Sequence, residues 1–369
     1  MKYYLIAGEA SGDLHGSNLL KELSALDNDA HFRGFGGDKM GKQGLEIVLH
    51  YKNIAVMGFK EVILNIRTIL NAFKIVKKDI LDYKPDVLIL IDYPGFNLKM
   101  AKFAKDHSIK VIYYISPQLW AWKEGRIKTI KKNVDKMICI LPFEKEYYAK
   151  WDYQVDYVGH PLVESIENFS PTTDFKSRHK LNDKPIIAIL PGSRKQEIHK
   201  ILPVLASVQQ YFPDYQFVIA ATTNFSPDFY TNISGTDNIK LVFNETYDLL
   251  SHSFAGLVTS GTATLETALF NIPLIVCYST TSFTFLISKS FIKIKYISLV
   301  NLILNKSAVK ELIQNNLTKY TICNELNKIL GEDQYRSEML GYLSQLKHLL
   351  GIEKASKMAA KIIYIFIKQ

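Results

Sequence analysis

Cysteine is scarce in this 369-residue chain, and long apolar segments are missing. The three cysteines, Cys139, Cys277 and Cys323, lie far apart and have no metal-ligand spacing, so we expect a cytosolic protein with reduced thiols and no structural metal. No stretch approaches the roughly 18 uncharged apolar residues that a membrane-spanning helix needs. A secretion signal is not expected either, because no charged segment and cleavage site accompany the first apolar run.

Acidic residues are fewer than basic ones. Asp and Glu number 36 against 45 Lys and Arg, which gives a formal net charge of +9. This excess favours an anionic partner, and nucleic acid, a phosphorylated metabolite and an acidic membrane surface all fit it. Because 47% of the residues are hydrophobic, the chain can form two ordinary cores.

The GxGxxG fingerprint of dinucleotide-binding proteins is also absent. Neither the loop at 8–16 nor the glycines between 34 and 37 supply it, which weakens a nicotinamide interpretation. The apolar run at 3–7 leads instead into a loop of small residues, and a loop of this kind at the end of a strand is typical of a ligand site. The loop carries three ionisable residues: Glu9, Asp13 and His15.

A plainer interpretation of the same loop is a tight turn between strand and helix. Gly8 and Gly12 would then adopt positive φ angles. Ser11 or Asp13 would cap a helix that begins near Leu14. The loop alone does not decide between a turn and a ligand site.

Short apolar runs alternate with helical patterns along the chain, which predicts parallel sheets with right-handed crossovers. A polar stretch at 160–184, bracketed by Pro161, Pro171 and Pro185, divides the runs into two sets. We therefore expect an α/β fold of two doubly wound, Rossmann-like domains that face each other across a cleft. The expected domains are 1–165 and 166–350, followed by a helix at 351–369 that could pack back on the first domain. The runs that predict strands are 3–7, 87–91, 111–115, 137–141, 155–158, 186–190, 217–221, 239–242, 256–259 and 274–277.

One strand end in the second half carries groups suited to phosphate. The run at 186–190 leads into Gly192, Ser193 and Arg194. Glycine permits close approach of the backbone, and the guanidinium fork suits a phosphate or a developing negative charge. A turn with a solvated arginine is the plainer alternative.

A second strand end has a similar character. The run at 256–259 leads into Ser260, Gly261 and Thr262 at the start of a predicted helix, whose free N–H groups and dipole favour a pyrophosphate. Glu266 follows about one turn later, where its carboxylate could accept hydrogen bonds from a ribose diol. A capping box would explain these residues equally well in isolation, but beside the loop at 8–16 we favour nucleotide binding.

Asp92 follows the apolar run at 87–91. A carboxyl at the end of a buried strand, partly desolvated in a cleft, would have a raised pKa and would suit a general base. A turn or cap before Pro94 is the alternative role. The next strand end carries Trp120 and Trp122, which suit either the wall of a sugar or acyl-chain site or packing on the sheet.

Residues 60–78 have helical periodicity with one apolar stripe, which core packing explains. Ile63, Leu70 and Ile75 lie off that stripe among basic residues, and residues 283–304 have a similar apolar and basic character. Contact with a membrane surface fits both segments, and a dimer interface fits them as well.

A series of segments, in this order, resembles the lipid-A-disaccharide synthase family, whose members are inverting glycosyltransferases of the GT-B architecture. The segments are GEASGDLHG at 8–16, AVMGFKEV at 55–62, IDYPGFN at 91–97, SPQLWAWK at 116–123, LPFEKEYY at 141–148, VGHP at 158–161, LPGSRKQEI at 190–198, SGTATLE at 260–266, FTFLISK at 283–289 and YISLVNLI at 296–303.

The resemblance implies an enzyme of lipid A (lipopolysaccharide) biosynthesis. It would join UDP-2,3-diacylglucosamine to 2,3-diacylglucosamine 1-phosphate, giving a β-1,6-linked disaccharide and UDP, without a metal or other cofactor. It would be cytoplasmic and peripheral on the inner face of the inner membrane of a Gram-negative bacterium, with an anionic membrane surface and not nucleic acid as its partner. A homodimer is left open.

The resemblance also implies residue roles. Asp92 resembles the catalytic base or an essential acid of the acceptor site, and Arg194 the group that neutralises the departing UDP. Residues that resemble the nucleotide site are Gly192, Ser193, Ser260, Gly261, Thr262, Glu266 and Asn301. Residues that resemble the wall facing it are Glu9, Ser11, Gly12, Asp13 and His15. Which of Asp92, His15 and Glu9 takes the proton stays open.

One segment departs from the family pattern. The usual Ser-Leu-Pro-Asn has Val300 in place of proline, and a downstream Gly-Arg-Glu segment reads Asn-Lys-Ser at 305–307, so how this loop holds the donor or the membrane is open. Two alternatives of other classes are a UDP-sugar epimerase of the same architecture and a non-catalytic, membrane-associated UDP-binding protein. Lipid dependence of activity would separate the first alternative, and UDP binding the second.

Overall fold

The computed structural model describes residues 1–54, 66–121, 123–236, 238–280, 295–351 and 353–369. They form two compact units. Unit 1 consists of Met1–Glu164 together with Leu350–Gln369, and unit 2 consists of Ser165–Leu349. In the described ranges, no helix is long and apolar enough to cross a membrane.

The strands of unit 1 are β1 (Lys2–Ala7), β2 (His31–Gly36), β3 (Leu45–His50), β4 (Val87–Ile91), β5 (Lys110–Tyr114), β6 (Lys136–Cys139) and β7 (Asp156–Tyr157). Its first helices are α1 (Ala10–Leu26), α2 (Asp38–Gly41), α3 (Ile66–Tyr83), α4 (Pro94–Asp106), α5 (Ile127–Asn133) and α6 (Glu144–Ala149), with 3-10 turns at Tyr51–Asn53 and Glu124–Arg126. Helix α7 (Pro161–Glu167) spans the boundary between the units.

The strands of unit 2 are β8 (Ile186–Leu190), β9 (Gln216–Ala221), β10 (Lys240–Phe243), β11 (Ser253–Thr259), β12 (Leu274–Tyr278) and β13 (Lys310–Ile313). Its helices are α8 (Phe175–Arg178), α9 (Lys195–Ala206), α10 (Pro227–Ser234), α11 (Thr246–Ser251), α12 (Thr262–Leu269), α13 (Leu299–Leu304), α14 (Lys319–Gly331) and α15 (Asp333–Leu349), with 3-10 turns at Gln209–Tyr211 and Gln314–Asn316. The last helix, α16 (Ala355–Lys368), belongs to unit 1.

The sheet of unit 1 is parallel in the order β3-β2-β1-β4-β5-β6-β7. Helices α3 to α6 pack on one face, and α1 and α16 pack on the other, so alternate residues of the central strands are buried on both sides. The strand order reverses between β1 and β4. Doubly wound folds bind ligands at such a switch point, outside the carboxyl ends of the strands.

The sheet of unit 2 is parallel in the order β10-β9-β8-β11-β12-β13. Its switch point lies between β8 and β11, so the loops after Leu190 and Thr259 leave the sheet side by side. The predicted α/β fold with two doubly wound parallel sheets is confirmed.

The sequence analysis missed three strands, β2, β3 and β13. β3 and β13 are edge strands with only short apolar runs, at 47–49 and 312–313. β2 contains two glycines, of which Gly34 allows close strand approach, since a Cβ at this position would lie 2.0 Å from the Leu5 carbonyl oxygen. Glycine inside a strand weakens the sequence signal while permitting this contact.

Candidate active site

The loops after β1 and β4 lie against each other at the switch point of unit 1. The two strands pair in parallel, with Ala7 opposite Ile91. A Cβ on Gly8 would lie 2.2 Å from the ring of Tyr93, so only glycine permits this approach. The structure therefore places the loop that carries Glu9 next to the strand end that carries Asp92.

Helix α1 begins directly in this loop. It starts at Ala10 rather than near Leu14, and the N-cap residue is Glu9, whose side chain makes no capping hydrogen bond. Gly8 and Gly12 are not among the residues with positive φ. The alternative interpretation, a capped turn with positive φ at both glycines, is therefore wrong, because the glycines serve close packing rather than an unusual backbone conformation.

The backbone at Asp92 is strained. Asp92 and Tyr93 both have a φ of 46°, in the left-handed region that non-glycine residues rarely adopt. The Asp92 carbonyl oxygen accepts hydrogen bonds from the Tyr113 hydroxyl at 2.5 Å and from Asn97 Nδ2 at 2.7 Å, which hold the turn in place. Strain of this kind costs on the order of 1–3 kcal/mol per residue and clusters at functional sites.

The Asp92 carboxyl is largely desolvated. Burial raises its pKa, the nearby negative charge of Glu9 raises it further, and a hydrogen bond from the Tyr93 backbone opposes both, so that the pKa is about 6. This carboxyl is ionised at neutral pH and is a stronger base than an ordinary aspartate. Both properties suit the acceptance of a proton from a hydroxyl.

Asp13, which was expected in the substrate wall, makes hydrogen bonds within unit 1. Its buried carboxylate accepts hydrogen bonds from three backbone N–H groups: Oδ1 from Gly37 at 2.9 Å and Met40 at 3.0 Å, and Oδ2 from Lys39 at 3.1 Å. These donors lie at the start of α2. Asp13 therefore fixes α2 against α1, and its oxygens are already occupied.

His15 lies on α1 with its Nδ1 atom buried and without a hydrogen-bond partner among the described residues. Burial lowers its pKa to about 4, with a contribution from the positive charge of Lys39, so the imidazole is neutral at pH 7. Nearby His160 is also kept neutral, because burial and His15 lower its pKa to about 3. A base whose pKa is 4 accepts protons less readily at neutral pH than Asp92, which favours Asp92 as the proton acceptor.

The loop after β8 combines a glycine turn with a cation. Gly192 has a φ of 101°. The Arg194 side chain is 78% exposed, and its Nη1 donates to Glu197 Oε1 at 2.8 Å. A Cβ on Gly192 would lie 2.8 Å from Glu197 Oε2, so Glu197 holds the guanidinium beside the glycine turn. Ser193 is exposed in the same loop, and the sequence analysis did not single out Glu197.

The loop after β11 ends at the N-terminus of α12. Gly261 has a φ of 150°, and it is exposed together with Thr262, so the first N–H groups of the helix are open to a ligand. Ser260 Oγ donates to the Ile297 carbonyl oxygen at 3.2 Å, which ties two loops together. Thr259 Oγ1, at the end of β11, is buried and has no hydrogen-bond partner in the described part of the chain.

Glu266 borders a cavity of about 430 Å³ in unit 2. Tyr247 Oη donates to Glu266 Oε1 at 3.4 Å, and the ring of Phe169 stands edge-on to Tyr247 with centroids 5.4 Å apart. Burial raises the pKa of Glu266, and the hydrogen bond from Tyr247 opposes this shift. A carboxylate beside aromatic rings suits a nucleoside, with the ribose on the carboxylate and the base against a ring.

Asn301, which was expected in the nucleotide site, makes hydrogen bonds within unit 2. Its buried Nδ2 donates to the Val309 carbonyl oxygen and to Glu311 Oε1, both at 2.9 Å. Its Oδ1 accepts from the Val309 backbone N–H at 3.0 Å. Both polar atoms of the amide are used, and they join α13 to β13.

The helix expected to contact a membrane has an exposed apolar face. On α3, Leu70 is 53% exposed and Ile75 is 37% exposed, whereas Phe73 and Val76 are buried in the core. The predictions for Ile63, for Trp122 and for residues 283–294 fall outside the described residues.

Solved structures with the same fold define the class of protein. The UDP-GlcNAc 2-epimerase of Neisseria meningitidis, solved bound to UDP-GlcNAc, is similar over 100% of both chains, with a TM-score of 0.68 at 15% identity. The calicheamicin glycosyltransferase CalG4 is similar over 100% of this chain and 98% of its own, with a TM-score of 0.64 at 14% identity. The fold is therefore the GT-B architecture that glycosyltransferases and these epimerases share.

Sequence comparison identifies the family within that class. The family model for lipid-A-disaccharide synthetase matches residues 3–363. The lipid-A-disaccharide synthase of Coxiella burnetii is 37% identical over 368 residues, which cover 98% of each chain. That of Myxococcus xanthus is 36% identical over 367 residues, covering 97% of this chain and 96% of its own. The chain belongs to the lipid-A-disaccharide synthase family: it is a glycosyltransferase of lipid A disaccharide synthesis, and its similarity to epimerases is one of fold.

Proposed function

We propose that unit 1 binds the sugar acceptor and that Asp92 is the general base of the reaction. In this proposal Asp92 takes the proton of the 6-hydroxyl of 2,3-diacylglucosamine 1-phosphate. The oxygen then attacks the anomeric carbon of UDP-2,3-diacylglucosamine, the bond from that carbon to the UDP oxygen breaks, and the configuration inverts. The raised pKa of Asp92, together with its place at the switch point, is the observation that carries this proposal.

Glu9 would act through its charge. It is exposed at the start of α1, and its carboxylate contributes to the raised pKa of Asp92. Ser11 is exposed in the first turn of α1 and would face the sugar as a hydroxyl donor. His15 is neutral and would serve as a hydrogen-bonding group rather than as the base.

Unit 2 would bind the UDP moiety. Gly192 and Ser193 and the open N–H groups at Gly261 and Thr262 are suited to the pyrophosphate, and Arg194 would neutralise its charge as UDP departs. The ribose diol would donate to Glu266 inside the cavity that Tyr247 and Phe169 line. The hydroxyl of Ser260 already donates to Ile297, so this residue would contribute by shaping the loop.

Turnover by Asp92→Asn tests the proposed base. With both diacylated substrates supplied and the disaccharide detected by mass, kcat should fall by about 10²- to 10⁴-fold, which is the usual contribution of a positioned base. Calorimetric affinity for UDP should be unchanged, because the variant alters unit 1. The matched control is Asp106→Asn, which changes an exposed carboxylate at the end of α4 and should leave kcat unaltered. A near-normal kcat in Asp92→Asn would reassign the base to Glu9 or His15.

We further propose that unit 1 associates with an anionic membrane through α3, which would place the enzyme on the cytoplasmic face of the inner membrane. Leu70 and Ile75 are exposed on this helix. Lys74, which lies between them in the sequence, and Lys78, which follows them, are exposed as well. Each basic residue near an anionic leaflet adds on the order of 1 kcal/mol, which salt screens, and apolar side chains add a part that salt does not screen.

Sedimentation with anionic vesicles tests this surface. The double variant Leu70→Ser/Ile75→Ser should release much of the protein at high salt and should stay folded, since Phe73 and Val76 still pack in the core. The control is Leu26→Ser, which changes a comparably exposed leucine on α1, on the other face of the sheet. Full sedimentation of the double variant would overturn the proposal, and a concentration-dependent loss of a dimer would assign the same face to self-association.

A further inference from the structure

Glu144 is a buried carboxyl that the proposed reaction does not use. It begins α6 in unit 1 and is 1% exposed. Its Oε1 accepts hydrogen bonds from Ser116 Oγ at 2.6 Å and from Trp120 Nε1 at 3.3 Å. Its Oε2 accepts from the Leu141 backbone N–H at 3.1 Å. One carboxylate thus joins the start of α6 to two side chains of the loop after β5.

That loop leaves the sheet beside the proposed base. β5 pairs with β4, and Tyr114 lies opposite Ile91, the residue before Asp92. The first residue of the loop, Ile115, has a φ of 67°, which a β-branched side chain adopts only at a cost. The hydrogen bond from Ser116 to Glu144 follows directly and holds this turn.

Trp120 is the part of the loop best suited to a ligand. Trp120 is only partly buried, so part of the residue remains accessible. Its N–H points to Glu144, and its ring stands edge-on to Phe143 with centroids 5.0 Å apart. The indole is therefore fixed at one end by a hydrogen bond and on one side by an aromatic contact.

Burying the Glu144 carboxyl costs free energy, because burial disfavours its charged form. Burial raises the pKa of Glu144, and the hydrogen bonds from Ser116, Leu141 and Trp120 oppose the shift, so that the pKa is about 7. Packing alone would be served as well by an apolar side chain. Holding Ser116 and Trp120 on one oxygen and the Leu141 N–H on the other needs a side chain with two acceptor oxygens.

We infer that Glu144 is a positioning residue for the acceptor, which it serves by holding Ser116 and Trp120 so that the indole forms one wall of the acceptor sugar site beside Asp92. The inference rests on the proposal that unit 1 binds the acceptor. The ligand it concerns is the sugar ring or the first part of an acyl chain, since both offer C–H surface to an aromatic ring.

The variant Glu144→Gln tests this role while keeping the shape of the side chain. Leu141 N–H and Trp120 N–H can only donate, and the glutamine has only one oxygen, so whichever way the amide turns one of the two donors meets an NH₂ group. We expect the KM for the acceptor to rise about tenfold, with kcat changed by less than about threefold and with UDP affinity unaltered. The matched control is Glu146→Gln, an exposed carboxylate on the same helix, which should leave both constants unchanged.

A second variant keeps the test independent of folding. Trp120→Phe removes the N–H and keeps an aromatic ring beside Phe143, so it should raise the acceptor KM by a similar factor. Because the inference has both single variants act through the position of the same indole, the double variant should be no worse than the poorer single variant. Intrinsic fluorescence provides a readout besides activity: in Glu144→Gln, the emission from Trp120 should shift to longer wavelength as the indole becomes freer.

Several outcomes would overturn the inference. They are an unchanged acceptor KM in Trp120→Phe, additive effects in the double variant, or a loss of kcat at constant KM in Glu144→Gln, which is the pattern of a purely structural residue. The proposal that Asp92 is the base is tested separately. If it is wrong, Asp92→Asn has a normal kcat, and this result does not depend on the variants of Glu144 and Trp120.

Discussion

The strand ends of unit 1 and unit 2 are built from different kinds of residue. In unit 1, three non-glycine residues at the ends of β4 and β5 have left-handed backbone conformations, namely Asp92 and Tyr93 with φ of 46° and Ile115 with φ of 67°. In unit 2, the corresponding turns use glycine, with φ of 101° at Gly192 and 150° at Gly261. The first arrangement holds particular side chains under strain, and the second exposes backbone.

The two units also differ in the charged and polar groups at their strand ends. In unit 1, burial raises the pKa of Asp92 to about 6 and that of Glu144 to about 7, and in unit 2 burial raises the pKa of Glu266. The switch point of unit 2 presents an exposed guanidinium at Arg194 and open N–H groups at the start of α12. A desolvated carboxyl suits proton transfer, and exposed donors suit a pyrophosphate, which supports the proposal that unit 1 binds the acceptor and unit 2 binds UDP.

The largest effect that would sharpen this comparison concerns Arg194. Arg194→Ala should lower kcat by about 10²- to 10³-fold, because the departing UDP loses a donor where negative charge develops. Lys195→Ala changes the exposed neighbouring cation and serves as the control in the same turnover assay. Equal losses in the two variants would mean that general positive charge, and not the guanidinium of Arg194, assists the departure of UDP.

A smaller effect concerns the nucleoside cavity of unit 2. Glu266→Ala should weaken UDP binding by about 1–3 kcal/mol in calorimetry, which is the usual loss for a charged hydrogen-bond acceptor. Tyr247→Phe removes the hydroxyl that donates to Glu266 and should cost less, about 0.5–1.5 kcal/mol. Unchanged UDP affinity in Glu266→Ala would remove this cavity from the proposed donor site.

The pH dependence of kcat/KM separates the two units further. Asp92 must be ionised to accept a proton, and its pKa is about 6, so kcat/KM should fall toward tenfold per pH unit as the pH drops below 6. The residual activity of Asp92→Asn should lack this acidic limb, whereas that of Arg194→Ala should keep it. An acidic limb that persists in Asp92→Asn would mean that another group titrates.

The smallest effect is one of stability. The folded-state pKa of Asp92 is raised from 3.8 to about 6, so folding favours the protonated carboxyl: this contribution is full below pH 3.8 and is lost as the pH rises through 6. Two pKa units correspond to roughly 3 kcal/mol, and partial exposure reduces this, so Asp92→Asn should be about 1–2 kcal/mol more stable than the wild type at pH 8.

Tryptophan fluorescence can follow this difference in unit 1 alone. The three tryptophans, Trp120, Trp122 and Trp151, all belong to residues 1–164. Urea unfolding of the wild type and Asp92→Asn should therefore diverge at pH 8 and coincide below about pH 4, where both side chains are neutral. Equal stability at both pH values would show that burial does not penalise this carboxylate.

Much of the fold could be read from periodicity. Runs of apolar residues predicted the central strands, because strands that are buried on both faces leave a continuous apolar signal. The edge strands β3 and β13 are partly exposed and have only short apolar runs. β2 is interrupted by two glycines, and the close approach to β1 requires the one at Gly34. Apolar runs therefore located the central strands more completely than the edge strands, of which β7 and β10 were predicted and β3 and β13 were not.

The candidate site was predicted unevenly for a related reason. Motifs at strand ends, such as Asp92 and Arg194, can be located from the sequence because parallel strands bring their carboxyl ends to one edge. Residues whose partners lie far along the chain cannot be located in this way. Glu144 and its partner Ser116 are 28 positions apart, and Tyr247 and Glu266 are 19 apart, so no local sequence pattern indicates either pair.

The sequence by itself determined the alternation of strands and helices, the positions of the loops at the strand ends and the family to which the chain belongs. Only the tertiary structure decided which polar side chains are available for chemistry. Asp13 and Asp92 both come shortly after a strand, and the sequence makes both of them candidates for the site. In the structure, three backbone N–H groups donate to the Asp13 carboxylate, whereas burial and the charge of Glu9 raise the pKa of Asp92. The physical reason is that a carboxylate's role depends on which donors and charges surround it, and those come from segments remote in the chain.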